Sequence, residues 1–454
     1  MNIIIVGCGK VGYTLVEALS NENHNIVVID TRQDKLDLIT DTLDVMGILG
    51  NGVSHTVLMQ AGIETADLLI AVTGSDEENL LCCVIAKKRG HCQTIARIRN
   101  PIYNVEMEFL KKEFGINMII NPELTAANEI SKVFQFPSAI RVDTFAKGRV
   151  ELLHFKIGSN SPLIGLKLSK FHATLHCNNV LVCTITRNDS EVIIPNGDFE
   201  FAASDIVTIV AKRRDAIDFF RKIGMEKKRV TNTILAGGGK ISYYLAKSLL
   251  MSGIKTTIIE INHDRCEFLS EQLPKATIIC GDASDKELLS EECLENAGGF
   301  AALTDMDEEN ILLSLYANGI SSAKTVTKVN RINFTSVINK LDLGSIIYPR
   351  VITAEYIIKY VRSMNNSLNS NVESLYKLED GKAEVLEFLL KNNSSVCNIP
   401  LQELKFRKNT LICCIYRDHQ VIVPSGQDCM LPGDSVMVAT SGYNVSDIEE
   451  ILEG

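Results

Sequence analysis

Two glycine-rich loops, 230 residues apart, carry the residue types that could bind a nucleotide. Gly7-Cys8-Gly9-Lys10-Val11-Gly12 follows an apolar N-terminal run, and Gly237-Gly238-Gly239-Lys240-Ile241-Ser242 follows a second apolar run. Glycines in such a loop permit a tight turn and bring backbone N–H groups close to a diphosphate, and a third glycine lets the next helix pack against the strand. We therefore expect both loops to bind nucleotide phosphates, with Lys10 and Lys240 adding positive charge.

An acidic residue follows each loop at a spacing suited to ribose binding. Asp30 and Glu260 each stand 23 residues after the first glycine of their loop. At the end of a second strand, such a carboxylate accepts hydrogen bonds from ribose hydroxyl groups. Because a carboxylate there repels a 2′-phosphate, NAD(H) or an adenine nucleotide is favoured over NADP(H). Arg32 is then interpreted as a surface charge or an adenine contact.

Further candidate site residues repeat at nearly the same interval. In the first copy they are Asn51, Gly52, Thr73, Gly74 and Arg97, and in the second copy Gly281, Asp282, Thr304 and Lys328. Arg97 and Lys328 place positive charge after equivalent strands, where it could meet a phosphate or form an interdomain salt bridge. The interval between equivalent residues stays nearly constant over some two hundred positions, which indicates a duplicated two-domain module. Two nucleotide-type sites in one chain suggest a ligand sensor more than a single-reaction enzyme.

The first loop lies in an alternating series of predicted strands and helices. Apolar runs predict strands at 2–6, 26–30, 45–49, 68–72 and 95–98, and helical spacing predicts helices at 11–19, 56–61 and 79–88. Such a series forms a doubly wound parallel sheet of the Rossmann-like type. The second copy runs the same way from Thr233 to about Val329.

Each predicted nucleotide domain is followed by a small α+β domain. The expected boundaries are 1–136 and 230–360 for the Rossmann-like domains, and 140–225 and 372–454 for the small domains. Short β-branched strands and a final helix, at 214–222 and again at 445–452, define the small domains. Linkers are predicted at Phe136-Pro137-Ser138, at Glu226-Lys227-Lys228-Arg229 and in the polar stretch 363–371.

Composition narrows the class of protein. The formal net charge of −10 argues against binding nucleic acid or anionic lipid directly. No apolar run reaches the roughly 20 residues of a membrane-spanning helix, and the N-terminus lacks the features of a signal peptide. The 13 cysteines lack metal-site spacing, which predicts buried, reduced thiols in a cytosolic protein. Cys8, inside the first glycine loop, is the one thiol that could be exposed, and its counterpart in the second copy is Gly238.

The whole chain resembles the TrkA-type peripheral subunit of Trk potassium uptake systems. Each half is similar to the RCK (or KTN) ligand-gating module of potassium channels and transporters. The first half shows this in the loop at 7–12, in Val28-Ile29-Asp30, in Thr73 with Asp76-Glu77, and in Ala96-Arg97-Ile98-Arg99-Asn100-Pro101. The second half adds Gly281-Asp282-Ala283-Ser284 and Val326-Thr327-Lys328.

The resemblance implies a regulatory protein without catalytic activity. It implies binding of NAD(H) and of ATP or ADP, and assembly into a homo-oligomeric ring. It implies an integral-membrane potassium transporter of the TrkH/TrkG type as partner, to which the chain would bind on the cytoplasmic face without entering the membrane. Ser242, in place of a third glycine, and Asn51, in place of Asp282, depart from strict repetition. They leave open whether both halves bind the same ligand.

Two alternatives come from other classes of protein. An NAD-dependent dehydrogenase would need a catalytic acid or base over the nicotinamide, and none of the eight histidines recurs in an equivalent setting. A metal site could use His172, His176 and Cys177, but a fourth ligand is lacking and the second copy has no histidine in the equivalent region.

Overall fold

A computed structural model describes the chain except for a few short segments. These are residues 23, 146–149, 178, 189–190, 226–228, 331–334, 339–340, 370–371, 379–382, 392–393, 443–444, 446 and 454. Most of the linker predicted at Glu226-Lys227-Lys228-Arg229 therefore lies outside the described residues.

The first Rossmann-like domain has one six-stranded parallel sheet. Its strands are β1 (Asn2–Val6), β2 (Asn25–Asp30), β3 (Met46–Leu49), β4 (Leu68–Ala71), β5 (Gln93–Arg97) and β6 (Met118–Ile120). Its helices are α1 (Lys10–Ser20), α2 (Gln33–Thr40), α3 (His55–Gln60), α4 (Asp76–Arg89), α5 (Pro101–Val105), α6 (Met107–Phe114) and α7 (Pro122–Gln135). The strand order is β3-β2-β1-β4-β5-β6. The order reverses between β1 and β4, and this reversal opens the crevice in which such folds bind ligands.

The central strands consist of continuous apolar residues because both of their faces are buried. Ile3, Ile4 and Ile5 are at most 1% exposed, as expected when helices cover both faces of a parallel sheet. Helix α4 begins three residues before the predicted start, because Ser75 caps it by accepting a hydrogen bond from the backbone N–H of Glu78. Acidic residues in its first turn and basic residues in its last turn complement the helix dipole.

The first small domain is an antiparallel sheet with two helices. Its elements are β7 (Arg141–Phe145), β8 (Val150–Lys156), α8 (Leu168–Leu175), β9 (Val180–Arg187), β10 (Glu191–Ile193), β11 (Ile206–Ala211) and α9 (Arg213–Lys222). The strand order is β10-β9-β11-β8-β7. The bend at Phe136-Pro137-Ser138, predicted as a linker, connects α7 to this domain.

The second Rossmann-like domain repeats the first. Its strands are β12 (Asn232–Ala236), β13 (Lys255–Glu260), β14 (Thr277–Cys280), β15 (Gly299–Ala302), β16 (Lys324–Lys328) and β17 (Ser345–Ile347), in the order β14-β13-β12-β15-β16-β17. Its helices are α10 (Lys240–Met251), α11 (His263–Gln272), α12 (Lys286–Glu291), α13 (Asp307–Ile320), α14 (Thr335–Ile338) and α15 (Pro349–Asn369). The polar stretch predicted as a linker is therefore the end of α15 as far as Asn369. A 3₁₀ turn, Leu294–Asn296, precedes β15.

The second small domain repeats the antiparallel sheet. Its strands are β18 (Val372–Leu378), β19 (Ala383–Leu389), β20 (Thr410–Arg417), β21 (Gln420–Ile422) and β22 (Ser435–Ser441), in the order β18-β19-β22-β20-β21. Short 3₁₀ helices occupy Leu401–Glu403 and Ile448–Ile451. The helix predicted at 445–452 is thus only a 3₁₀ segment. The fold class predicted from the sequence, with two parallel-sheet domains and two small α+β domains, is confirmed.

Like domains associate within two compact units. One unit contains Met1–Ser131 and Thr231–Ile358, and the other contains Lys132–Val230 and Lys359–Gly454. In the first unit, the side-chain amide of Asn121 donates to the Tyr244 hydroxyl at 3.1 Å. In the second unit, the two small sheets share one apolar core, formed by Val150, Leu152, Cys183, Val210, Ala383, Val385, Cys413, Cys414, Met437 and Ala439.

Each small domain contains an arginine–aspartate ion pair at an equivalent position. Arg187 Nε and Nη2 donate to the two carboxylate oxygens of Asp205 at 2.9 and 2.8 Å. Arg417 binds Asp434 in the same way, at 2.8 and 2.7 Å. Both aspartates are 1% exposed, so each carboxylate depends on its arginine for charge compensation.

Arg187→Met is expected to destabilise the first small domain by removing this compensation. Losing one partner of a fully buried pair costs about 3–5 kcal/mol. The Arg187 side chain is 31% exposed, so water reduces the expected loss to about 2 kcal/mol. Chemical denaturation measures it, with Lys167→Met as control because the Lys167–Asp198 pair is exposed on both sides. Equal stability of the two variants would contradict a structural role for the pair.

Candidate nucleotide-binding sites

The first glycine loop has the geometry that a phosphate site requires. Gly7 has a φ of +104°, which favours glycine, and its N–H donates to the Ile29 carbonyl at 2.8 Å. A Cβ on Gly12 would lie only 1.9 Å from the Gly7 carbonyl oxygen, whereas a Cβ on Gly9 would meet no atom within 4 Å. Gly9 precedes α1, and no side chain caps this helix. Its first N–H groups therefore lack a side-chain acceptor, and the space beside Gly9 is open to an anion.

The other loop residues divide between surface and core. Lys10 is exposed on the first turn of α1, and Val11 is 7% exposed. Cys8, which the sequence analysis singled out as the thiol that could be exposed, is buried at 6% exposure. Burial, then the nearby Asp30 carboxylate, raises the pKa of Cys8 to about 12. The exposed thiols are instead those of Cys280 and Cys293, and these two correct the prediction that the cysteines are buried.

Asp30 holds the loop as well as lying at the predicted ribose position. It ends β2 and is 9% exposed. One carboxylate oxygen accepts the Cys8 N–H at 2.6 Å, and the other accepts the Arg32 N–H at 3.0 Å. Since an ionised carboxylate offers about four acceptor positions, capacity for ribose hydroxyl groups is left. The Arg32 side chain is exposed and pairs with Asp34.

Asn51 and Gly52 follow the neighbouring strand β3. Asn51 is exposed, and its side-chain oxygen accepts the Val53 N–H at 3.0 Å. A Cβ on Gly52 would lie 2.1 Å from Val6 Cγ1. The absence of a side chain at Gly52 is therefore needed for packing against β1, and Asn51 is the polar residue at this edge.

Two arginines lie at the Thr73-Gly74 turn. Arg97 donates to the Thr73 carbonyl, and Arg99 Nη2 donates to the Gly74 carbonyl at 3.0 Å. The Nε atoms of both arginines are buried and have no hydrogen-bond partner. Burial, followed by the charge of Arg99, lowers the pKa of Arg97. The prediction omitted Arg99, although it stands in the same six-residue phrase as Arg97.

The second loop keeps the backbone geometry of the first. Gly237 has a φ of +96°, and its N–H donates to the Ile259 carbonyl at 2.8 Å. Gly239 precedes α10 and faces open space as Gly9 does. The Ser242 hydroxyl donates to the Gly237 carbonyl, so serine replaces the third glycine by forming a hydrogen bond. In α10, Lys240 is exposed and Ile241 is buried.

Glu260 holds the second loop as Asp30 holds the first. Its carboxylate accepts the Gly238 N–H at 2.6 Å and the Asn262 N–H at 2.8 Å. A Cβ on Gly238 would lie 2.9 Å from Glu260 and 2.7 Å from Leu269, which explains why Cys8 has glycine as its counterpart. Arg265 Nε also donates to the Gly238 carbonyl at 2.8 Å.

The positive charge of Lys328, at the second site, is paired with a carboxylate of the protein. Lys328 is 7% exposed, and its Nζ lies 3.1 Å from the carboxylate of Asp305. Asp305 follows Thr304 and occupies the position of Gly74. The predicted phosphate role of Lys328 thus competes with an ion pair to Asp305, which glycine at position 74 cannot form in the first copy.

The two remaining candidate residues of the second copy follow β14. A Cβ on Gly281 would lie 2.7 Å from the Leu288 side chain. Asp282 accepts the Ser284 N–H at 2.8 Å, and this amide lowers the pKa of the Asp282 carboxyl. The turn therefore favours an ionised Asp282 where the first copy has neutral Asn51.

The proposed histidine–cysteine metal site finds no support in the geometry. His172 lies in α8 with its Nδ1 3.0 Å from the Cys177 carbonyl, and His176 ends that helix with a φ of 50°. Among the residues that the structure describes, no group of three or more His, Cys, Asp and Glu side chains is placed to hold a metal ion. In the same described ranges, no helix has the length and hydropathy of a membrane span.

Comparison with protein families matches both copies of the module. The TrkA-N domain matches residues 3–122 and 233–349, and the TrkA-C domain matches residues 152–224 and 385–453. The chain belongs to the TrkA family. This confirms the resemblance inferred from the glycine loops, and TrkA membership does not favour a dehydrogenase.

Full-length relatives carry the same family name. The chain is 31% identical to Trk system potassium uptake protein TrkA homolog 2 of Methanosarcina mazei, and the alignment covers 100% of both chains. It is 32% identical to the TrkA homolog of Archaeoglobus fulgidus, again over 100% of both. It is 30% identical to TrkA of Halomonas elongata, over 100% of this chain and 99% of the relative.

Solved structures with this TrkA fold include the GsuK channel. A structure described as the GsuK channel bound to NAD superposes with a TM-score of 0.63 and 15% identity, covering 97% of this chain and 76% of the channel. The GsuK RCK domain gives a TM-score of 0.63 and 15% identity, covering 97% of this chain and 92% of the domain. At this identity the likeness shows a shared RCK fold.

Gly12→Ala is expected to destabilise the first TrkA-N domain despite a better helix former in α1. The new Cβ would clash with the Gly7 carbonyl, and overpacking of this kind costs roughly 1–3 kcal/mol. Gly9→Ala, which introduces the same group into open space, should stay within about 0.5 kcal/mol of the parent. Thermal unfolding of both variants tests this, and a Gly12→Ala protein as stable as Gly9→Ala would contradict the loop geometry.

Proposed function

We propose that the chain is a nucleotide-sensing regulatory subunit of a membrane potassium transporter, rather than an enzyme. The observation that carries the proposal is the first glycine loop of a TrkA-family chain, where an uncapped helix start and Asp30 occur together with the adjacent Thr73-Gly74 turn. Arg97 and Arg99 bind that turn. The names of the relatives support a role in potassium uptake. The GsuK channel bound to NAD supports a nucleotide as the ligand of this fold.

At the first site, the ligand proposed is NAD(H) or an adenine nucleotide such as ATP or ADP. The diphosphate would enter the open space at Gly9 and accept hydrogen bonds from the start of α1. Ribose hydroxyl groups would donate to Asp30. The unpartnered Nε atoms of Arg97 and Arg99 would compensate phosphate charge.

At the second site, the same ligand is expected to bind more weakly. A phosphate near Lys328 would have to compete with Asp305, whose carboxylate already pairs with this ammonium group. A negative charge beside the loop also repels a diphosphate. The second loop would therefore favour a ligand that needs less positive charge, with ribose still directed to Glu260.

Contact between the two TrkA-N domains offers a route for coupling the sites. Tyr244 lies in α10, the helix that begins at the second glycine loop, and Asn121 follows β6 of the first domain. Their hydrogen bond is buried. A ligand that shifts α10 would change this contact, so binding at one loop would alter the affinity of the other.

The partner proposed is an integral-membrane potassium transporter subunit of the TrkH/TrkG type. The chain would bind it at the cytoplasmic face of the membrane as a homo-oligomeric ring. Control of transport would require that the nucleotide bind the open-pore and closed-pore states of the assembly with different affinity.

Potassium flux through the reconstituted transporter tests this function. We expect flux with the bound chain to depend on NADH, NAD, ATP or ADP, and the dependence to weaken with Gly9→Asp, because a carboxylate in the open space repels phosphate. Gly158→Asp is the matched control, since Gly158 also faces open space but lies outside the loop. Flux that ignores every nucleotide would reduce the chain to a structural subunit.

A further inference from the structure

Two cysteines meet beside the second glycine loop. Cys266 lies in α11, and its Sγ donates to the Glu260 carbonyl at 3.2 Å. The Gly281 N–H donates to the same oxygen at 3.0 Å. Cys280, the residue before Gly281, is paired with Glu260 across the parallel strands β13 and β14. The Cys266 thiol therefore lies next to the peptide that follows Cys280. Burial, then the neighbouring Cys280 thiol, raises the pKa of Cys266 to about 11.

We propose that Cys266 and Cys280 are a peroxide-oxidisable dithiol that forms a disulfide at the rim of the second site. Cys280 is exposed, whereas Cys266 is 7% exposed. This is the arrangement of an accessible thiol that reacts first and a shielded thiol that resolves it. The structure assigns these two roles to Cys280 and Cys266 respectively.

The reaction needs only hydrogen peroxide as oxidant. The Cys280 thiol first loses its proton, and the thiolate attacks one peroxide oxygen. The O–O bond breaks, giving a sulfenic acid, and the departing hydroxide takes up the proton lost by Cys280 to form water. The Cys266 sulfur then attacks the sulfenic sulfur, and the S–OH bond breaks as the S–S bond forms. The hydroxyl group leaves with the Cys266 proton as water. Two thiols are oxidised to one disulfide and one peroxide is reduced to two water molecules.

The pair is specific to the second copy. The first copy has Leu36 and Leu49 at the equivalent positions, so oxidation would act on one site and spare the other. Cys183 and Cys413 also lie together in the core shared by the small sheets, where both residues are 0% exposed. Peroxide reaches Cys280 without unfolding, which it cannot do for that buried pair.

The disulfide would act on the loop through Arg265. This residue directly precedes Cys266 in α11, and its Nε donates to the Gly238 carbonyl at 2.8 Å. A bond from Cys266 to β14 would fix the start of α11 and hold Arg265 on the loop. A nucleotide that must displace Arg265 would then bind more weakly. This effect rests on the proposed function of the second loop, whereas formation of the disulfide does not.

Peptide mapping of the full chain tests the chemistry. Reduced protein is treated with hydrogen peroxide, its remaining thiols are alkylated, and the digest is analysed by mass spectrometry. We expect a linked Cys266–Cys280 peptide that dithiothreitol removes. Cys280→Leu, which introduces the first-copy residue, should abolish it, and Cys293→Ser, which removes the other exposed thiol, should not. Oxidised Cys280 with Cys266 still alkylated, or a link to another cysteine, would overturn the proposal.

Nucleotide titration tests the consequence. In a Gly9→Asp background, which impairs the first loop, oxidation should reduce ADP affinity, and dithiothreitol should restore it. Affinity unchanged by a mapped disulfide would refute the coupling through Arg265. If the reduced Gly9→Asp protein binds no ADP at all, the proposed function of the second loop fails, while the peptide map still decides the thiol chemistry.

Discussion

A short hydrogen bond between a strand-end carboxylate and a loop amide underlies both sites. Asp30 binds the Cys8 N–H, and Glu260 binds the Gly238 N–H, each at 2.6 Å. The bond ties the loop after the first strand to the end of the second strand. The next N–H groups, at the helix start, have no side-chain cap in either copy. Without the bond to the carboxylate, the helix would still begin there, but the loop would lose the charged acceptor that orders it.

The duplicated scaffold supports two sites with unequal electrostatics. In the first copy, position 74 is glycine, and the Arg97 guanidinium bonds to the backbone carbonyl of Thr73. In the second copy, Asp305 replaces this glycine and pairs with Lys328. The two copies share the same backbone fold but carry different side-chain charges at their sites. We therefore expect them to differ in ligand preference.

The sequence was sufficient to predict the repeat, the two parallel sheets and the positions of the glycine loops. These features depend on local patterns, such as apolar runs and glycines before helices, which recur at a constant interval. Polar residues such as Asn365 and Asn366 gave no helical signal, yet α15 continues through the predicted linker to Asn369. The prediction of a final helix in the second small domain was also wrong, because the apolar residues there form only a short 3₁₀ helix.

Side-chain pairing at the sites was beyond sequence reasoning. Three features depend on contacts between residues far apart in the chain. They are the bond from Asp30 to a loop amide, the burial of Cys8 and the pairing of Asp305 with Lys328. The association of like domains could not be predicted either, because the core shared by the small sheets draws residues from both halves of the chain. The predicted roles of the site residues in ligand binding, and the domain boundaries, stay predictions.

Calorimetric titration of NADH into a reciprocal pair of variants tests the central claim most directly. Gly74→Asp introduces the second-copy carboxylate beside Arg97, at a position where a new Cβ meets no atom within 4 Å, and Asp305→Gly removes its counterpart. We expect one stronger site per native chain, which Gly74→Asp weakens, and a second, weaker site that Asp305→Gly strengthens. Two equal sites in the native chain, or affinities that neither substitution changes, would contradict it.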